Sequence, residues 1–255
     1  MKNIYLNDYN FNREVGFTSK SELCEMTYDR YAENEKKINC KNFYHQHFNT
    51  NIPLYSPMKK VDFVGDVILS SNYSPKTPIV INDITNVNLN GKKITAPIFS
   101  ESNGEVLEGD SDSYCFWVKE GELTIEGDGE VVAQEAKYSM AIWANGGTVT
   151  IKGGKFYNNG NNSDLIYASN GSLVEIFGGE FHANKNEGAS GTKNAYPALN
   201  IKDKDRDTTS IKVYGGKFYG FNPADNVSEG ANTNFVVEGY KSIEVEPNVW
   251  EVVKE

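Results

Sequence analysis

The sequence predicts an all-β fold, a right-handed parallel β-helix with about 25 residues per rung. The first observation is internal repetition, because three segments align with one another. They are GGTVTIKGGKFYNN (146–159), GSLVEIFGGEFHAN (171–184) and TTSIKVYGGKFYGF (208–221). The second is that every copy places a Gly-Gly pair two residues before a phenylalanine. The third is that short β runs recur without any helical segment, and such runs bury their apolar face only against a neighbouring copy.

Apolar and polar residues alternate within each copy, which assigns them to opposite faces of a strand. Thr150, Glu175 and Lys212 are predicted to point outward. The predicted inward set is Ile151, Ile176, Val213, Phe156, Phe181 and Phe218. Since parallel strands stack about 4.8 Å apart, the three phenylalanines would form an internal aromatic ladder. The Gly-Gly pairs mark corners where the chain needs a positive φ.

Other segments supply the remaining elements of a helix predicted over residues 61–230, with about six or seven rungs. A weaker fourth copy occupies 121–134, and residues 65–97 fit as opening rungs with a turn at Asn90-Gly91. A further short apolar strand precedes each repeat: YCFWV (114–118), SMAIWA (139–144), DLIYAS (164–169) and PALNIK (197–202).

The two ends differ from the repeats. Residues 1–60 lack periodicity and are predicted to be a short irregular N-terminal arm. Residues 231–255 are predicted to form a C-terminal β-hairpin that caps the open edge of the last rung or forms the trimerisation seam where copies of the chain meet. Its turn is placed at Pro247-Asn248, and its candidate inward residues are Ile243, Val245, Trp250 and Val252.

Composition excludes several function classes. The net charge of −10 disfavours nucleic-acid binding, because a phosphate backbone repels such a surface. No stretch reaches the roughly 18–20 apolar residues of a membrane span, and the opening residues show no secretory signal. Three cysteines without disulfide spacing favour free thiols and synthesis in a reducing cytoplasm.

Candidate catalytic residues are weak. Polysaccharide lyases and hydrolases built on β-helices need a cluster of carboxylates on one exposed face. The alternating Asp203, Asp205 and Asp207 would share a face if their segment were a strand, although a charge run of this kind favours a solvated loop. The sequence therefore predicts no catalytic residues and no enzyme.

Candidate metal ligands are equally weak. Cys24, Cys40, His45 and His47 supply four zinc-type ligands without the tight spacing of a zinc knuckle. Glu108, Asp110 and Asp112 form an acidic turn that lacks the glycine and distal glutamate of a calcium loop. No cofactor or metal is expected. His182 replaces the tyrosines of the other copies and is interpreted as a rung-surface residue.

The repeats, together with the closing segment from Gly220 to Val252, resemble the β-helical virion proteins of tailed phages. The resemblance is greatest to head-fibre and decoration proteins of crAss-like gut phages, and it covers residues 65–255. It implies a homotrimer made in the bacterial host cytoplasm and located in the virion. It also implies that the arm 1–60 binds another capsid or tail protein.

Two functions follow as expectations. The first is a non-enzymatic head fibre, decoration protein or tail appendage with weak adhesion to a host surface glycan. The candidate contact residues are Tyr157, Tyr219, Tyr167 and Trp143, and the last two could also point into the core. The alternative is a tailspike-like polysaccharide depolymerase. A pair of carboxylates stacked on adjacent rungs would favour the alternative, and the aligned positions Lys155, Glu180 and Lys217 do not supply one.

Overall fold

The computed structural model describes residues 63–99, 112–136, 138–160, 164–183 and 198–255, together with the backbone of Ile4–Tyr5. The described residues belong to one compact unit. Residues 7–61, which make up nearly all of the predicted arm, lie outside the described residues. The described part is all-β, with one short 3-10 turn at Asp203–Asp205 and no α-helix. None of its elements is a helix suited in length and hydropathy to cross a bilayer.

Three sheets make up the described unit. Sheet A contains, in spatial order, β1 (Ile4–Tyr5), β2 (Gly65–Ile68), β4 (Ile84–Asn88), β7 (Glu122–Glu126), β10 (Thr148–Ile151), β13 (Leu173–Ile176) and β16 (Ser210–Val213). Sheet B contains β5 (Lys92–Thr95), β8 (Gly129–Ala133), β11 (Lys155–Asn158), β14 (Glu180–His182), β17 (Gly216–Tyr219), β19 (Val249–Lys254) and β18 (Tyr240–Glu246). Sheet C contains β3 (Ile79–Ile81), β6 (Asp112–Val118), β9 (Tyr138–Asn145), β12 (Ile166–Ser169) and β15 (Leu199–Ile201).

The chain passes from sheet A to sheet B to sheet C and then returns to sheet A one strand further on. All the pairings are parallel except those of the last two strands of sheet B. The register places Ile151 opposite Ile125 and Ile176, and Ile176 opposite Val213. The aligned repeats therefore stack residue on residue, and the predicted all-β, β-helix-like architecture of parallel sheets is confirmed.

The core runs along the inside of the three sheets. Phe156, Phe181 and Phe218 are fully buried there. The ring of Phe181 stacks on Phe156 with a centroid distance of 5.0 Å and on Phe218 at 4.7 Å, and the interplanar angles are 5° and 13°. Because each buried phenyl ring contributes about 1.5–3 kcal/mol of transfer free energy, this column binds successive turns together.

The Gly-Gly corners need both glycines, for two different reasons. The second glycine has a positive φ, which is 93° at Gly154 and 104° at Gly179. The first glycine lies against the backbone of the preceding turn. A Cβ at Gly178 would come within 2.8 Å of the Lys152 carbonyl oxygen, and one at Gly215 would overlap the Phe177 carbonyl. Close stacking at this corner thus excludes any side chain.

The C-terminal hairpin turns at Pro247 and Asn248, and its second strand pairs antiparallel with the last parallel strand of sheet B. Val252 is buried and Trp250 is half-buried. The inward assignment of Ile243 and Val245 is wrong, because these side chains are 38% and 40% exposed. Their strand, β18, is the outermost of sheet B, so no further described strand covers it.

Candidate functional site

The outer face of sheet B carries a ladder of alternating charges. The strand register places the ladder residues next to one another in the order Lys93, Glu130, Lys155, Glu180 and Lys217. Two of the neighbouring pairs form ion pairs, with Nζ–Oε distances of 2.7 Å for Lys93–Glu130 and 3.1 Å for Lys155–Glu180. Lys217 pairs with Glu246 of the hairpin at 3.1 Å.

Hydrogen bonding shifts the titration of this ladder. The pKa of Lys155 is raised by its hydrogen bond to Glu180, and that of Lys217 by its hydrogen bond to Glu246. In the strand register, each carboxylate of the ladder lies between two lysines. This arrangement neutralises charge along the face.

An aromatic column runs beside the ladder on the same face. His182 lies between Tyr157 and Tyr219, with ring centroid distances of 4.4 Å and 4.1 Å. Burial lowers the pKa of His182 and raises that of Tyr157. His182 covers one face of the Tyr157 ring and one face of the Tyr219 ring. A sugar cannot stack on these two faces.

A second aromatic stack lies at the corner between sheets A and B. Phe177 stacks on Tyr214 with a centroid distance of 4.6 Å and an interplanar angle of 5°. The Tyr214 hydroxyl donates a hydrogen bond to Glu175 at 3.1 Å, and Tyr240 contacts the Tyr214 ring edge-on at 5.6 Å. Phe177 itself is 48% exposed. Sequence analysis did not single it out, although a phenylalanine at the position of Lys152 and Tyr214 is a visible departure from the repeat.

The outer face of sheet C is apolar and aromatic. Trp143 stacks on Trp117 at 5.2 Å, meets Tyr114 edge-on at 5.5 Å, and donates its indole N–H to Ser169. Both tryptophans are buried, whereas Tyr167 is half-buried. Trp143 is therefore not accessible as a surface platform for a glycan.

Asp203, Asp205 and Asp207, which were predicted to share an acidic face, do not lie on a common face. Their segment is a 3-10 turn and not a strand, so alternate residues point in different directions. Asp203 pairs with Arg206 at 2.7 Å, Asp205 accepts the Asn170 backbone N–H at 2.8 Å, and Asp207 is exposed. The condition under which they would form a catalytic or calcium-binding cluster is not met.

Asp164 is a titratable group that sequence analysis missed. Its carboxylate accepts a hydrogen bond from the Asn200 side chain at 3.0 Å. Burial raises the pKa of Asp164 to about 7, and the charge of Glu229 acts in the same direction. In the sequence this residue is indistinguishable from an ordinary turn aspartate.

The metal-ligand candidates Cys24, Cys40, His45 and His47 lie outside the described residues, as do Glu108 and Asp110. Asp112 is a buried member of sheet C that forms a bridge with Phe99. Within the described ranges no three His, Cys, Asp or Glu residues gather into a metal-binding group. Cys115 is a buried free thiol whose pKa burial raises.

Comparison with protein-family models, curated proteins and solved structures gave no match to this chain.

Proposed function

We propose that this protein is a non-enzymatic structural component of a phage virion, a head fibre, decoration protein or tail appendage. In this proposal residues 1–60 attach it to another capsid or tail protein, and the β-helix projects outward as a homotrimer. The proposal also gives the fold its finer form, a right-handed parallel β-helix of about 25 residues per rung, since parallel crossovers are right-handed in almost all proteins. The terminal hairpin would act as the cap of the last rung.

The paired charge ladder on sheet B is the observation that supports this function. A glycosidase needs two carboxylates that are free to face one substrate. Here Glu130 and Glu180 are separated by Lys155 and are paired with lysines. Such a face suits a rigid shaft that remains soluble at high local density.

The resemblance of the repeats and of the closing segment to phage head-fibre and decoration proteins also supports the proposal. A shaft of this kind needs a surface that does not aggregate, and the net charge of −10 provides repulsion between particles. Weak adhesion to a host glycan is compatible with this role.

Light scattering on the purified full-length chain tests the trimer. The expected mass is three times the 28.4 kDa of one chain, about 85 kDa. A mass of 28.4 kDa at micromolar concentration would count against a fibre.

A reducing-end assay on a panel of bacterial surface polysaccharides tests the enzymatic alternative. We expect no release of reducing ends above a buffer control. Release that persists in the full-length protein after repurification would replace the structural proposal with the depolymerase.

A further inference from the structure

The Phe177–Tyr214 stack is part of a longer column of outward residues. Because Ile125, Ile151 and Ile176 are opposite one another, the residues that follow them also stack. The column runs Asn88, Glu126, Lys152, Phe177 and Tyr214. Its aromatic part therefore ends at Phe177, where the neighbouring turn supplies a lysine in place of a ring.

In the Phe177–Tyr214 stack, only Tyr214 is held by further contacts. Tyr214 is fixed by its hydrogen bond to Glu175 and by the edge of Tyr240. Phe177 rests on Tyr214 through one face, and 48% of its surface is exposed. The phenylalanines of the internal ladder are fully buried. An exposed ring retains a hydrophobic penalty that a ligand with an apolar face would relieve.

The surface next to the Phe177 ring carries no side chains, because glycines occupy these positions. Gly153 and Gly178 follow Lys152 and Phe177 in the chain. A Cβ at Gly178 would lie 2.8 Å from the Lys152 carbonyl oxygen, which excludes a side chain, and a Cβ at Gly153 would lie 3.0 Å from the Gly127 carbonyl oxygen, which leaves little room for one. Lys152 is exposed and forms no ion pair with any residue that the structure describes. The corner thus combines an exposed aromatic face, a strip without side chains and a cation able to reorient.

We propose that the exposed face of Phe177 is a carbohydrate subsite that takes one pyranose ring bearing a carboxylate. The pyranose would stack its C–H face on Phe177 in the position where the next ring of the column is missing. The 4.6 Å spacing of the existing stack is the separation at which a ring packs on Phe177 in this column. Lys152 would face the carboxylate, since a cation beside a stacked ring favours an acidic sugar over a neutral one. This inference deepens the adhesive part of the proposed function and rests on it.

Saturation-transfer NMR on the full-length chain tests the subsite with three probes: methyl β-glucuronide, methyl β-galacturonide and methyl β-glucoside. We expect transfer to the ring C–H protons of at least one uronide, and weaker transfer to the glucoside. Phe177→Ala should weaken uronide binding by about tenfold, the size of one stacked aromatic contact. Phe177→Tyr should retain it. Lys152→Thr should remove the preference for uronides while leaving the contact with Phe177.

Ile84→Ala is the matched control, because Ile84 is a 62% exposed apolar residue at the start of β4 in sheet A, and the change should leave binding unchanged. Circular dichroism verifies the fold of each variant, and Phe177→Tyr and Lys152→Thr keep the test valid if Phe177→Ala misfolds. The proposal is overturned if no probe gives transfer, if Phe177→Ala binds as the parent chain does, or if Phe177→Ala changes the native mass, which would assign the ring to a contact between copies. A monomer that binds uronides through Phe177 would retain the subsite and refute the trimer.

Discussion

Replacing Phe181 with alanine removes the central ring of the internal ladder, so it tests the packing that couples successive turns. The side chain is fully buried and contacts Phe156 on one face and Phe218 on the other, at 5.0 Å and 4.7 Å. Truncating a buried phenylalanine costs about 3–5 kcal/mol, and the loss of two stacked partners places this site at the upper end. We therefore expect the free energy of unfolding to fall by about 4–5 kcal/mol.

The matched control is Phe177→Ala, the same change at a ring that is half exposed and stacked on one side only. We expect it to cost about 1 kcal/mol, because it loses one aromatic contact and little buried area. Phe181→Leu, which keeps most of the volume but not the stacking, should fall between the two. Phe181→Asp would bury a charge without a partner and should abolish soluble expression.

Urea unfolding of the full-length chain, followed by far-ultraviolet circular dichroism, measures these differences from the midpoint and the slope m of each variant. Since a solenoid couples each turn to its neighbours alone, Phe181→Ala should also broaden the transition as the two halves of the ladder uncouple. If Phe181→Ala and Phe177→Ala lower the stability equally, the internal ladder does not couple the turns and the packing argument is refuted.

Three further outcomes are expected. Gly215→Ala should cost several times more stability than Gly171→Ala in urea unfolding, because its Cβ would overlap the Phe177 carbonyl, whereas Gly171 has a φ of 76° but open space. A larger cost at Gly171 than at Gly215 would show that positive φ, and not the close approach of two turns, sets the requirement for glycine. His182→Tyr should reduce the fall in melting temperature between pH 7.5 and pH 5. Burial lowers the pKa of His182, so the stability that the neutral ring contributes is complete above the usual histidine pKa and is lost as the pH falls below that value. An unchanged fall would contradict this sign. Asp164→Asn should raise the melting temperature at pH 8 but not at pH 4. The pKa of Asp164 is raised to about 7, so the parent chain loses stability as the pH rises towards and through that value. An equal effect of the substitution at both pH values would argue against a protonated carboxyl at Asp164.

The arrangement of parallel sheets was predictable because the repeat leaves the chain few choices. Ile151 and Ile176 occur at the same point of consecutive copies, and a strand that buries one face fixes the register of the next. The Gly-Gly pairs were also informative, since positive φ and close approach of two turns both require glycine. Phe156 and Phe181 stack for the same reason, as identical positions on parallel strands are neighbours in space.

What the sequence did not show depends on contacts outside the repeat. Asp203 and Asp205 look like a strand with a charged face until Arg206 and the Asn170 backbone bind them in a tight turn. Ile243 looks like an inward residue of a hairpin until the order of the strands places it at the edge of the sheet. In both cases the local pattern is satisfied by two structures, and contacts outside the pattern itself select between them.

The two ladders of sheet B have different roles in specifying this fold. Phenylalanines stack equally well in any order, so if the β14 turn were skipped, Phe156 would still find a ring in Phe218. The charges do not tolerate that error, because Lys155 would then lie next to Lys217 and both would lose Glu180. Like charges on directly opposed positions are destabilising, whereas the native order pairs opposite charges. The internal ladder therefore provides the stability of the stack, and the external ladder specifies the sequence in which the turns are stacked.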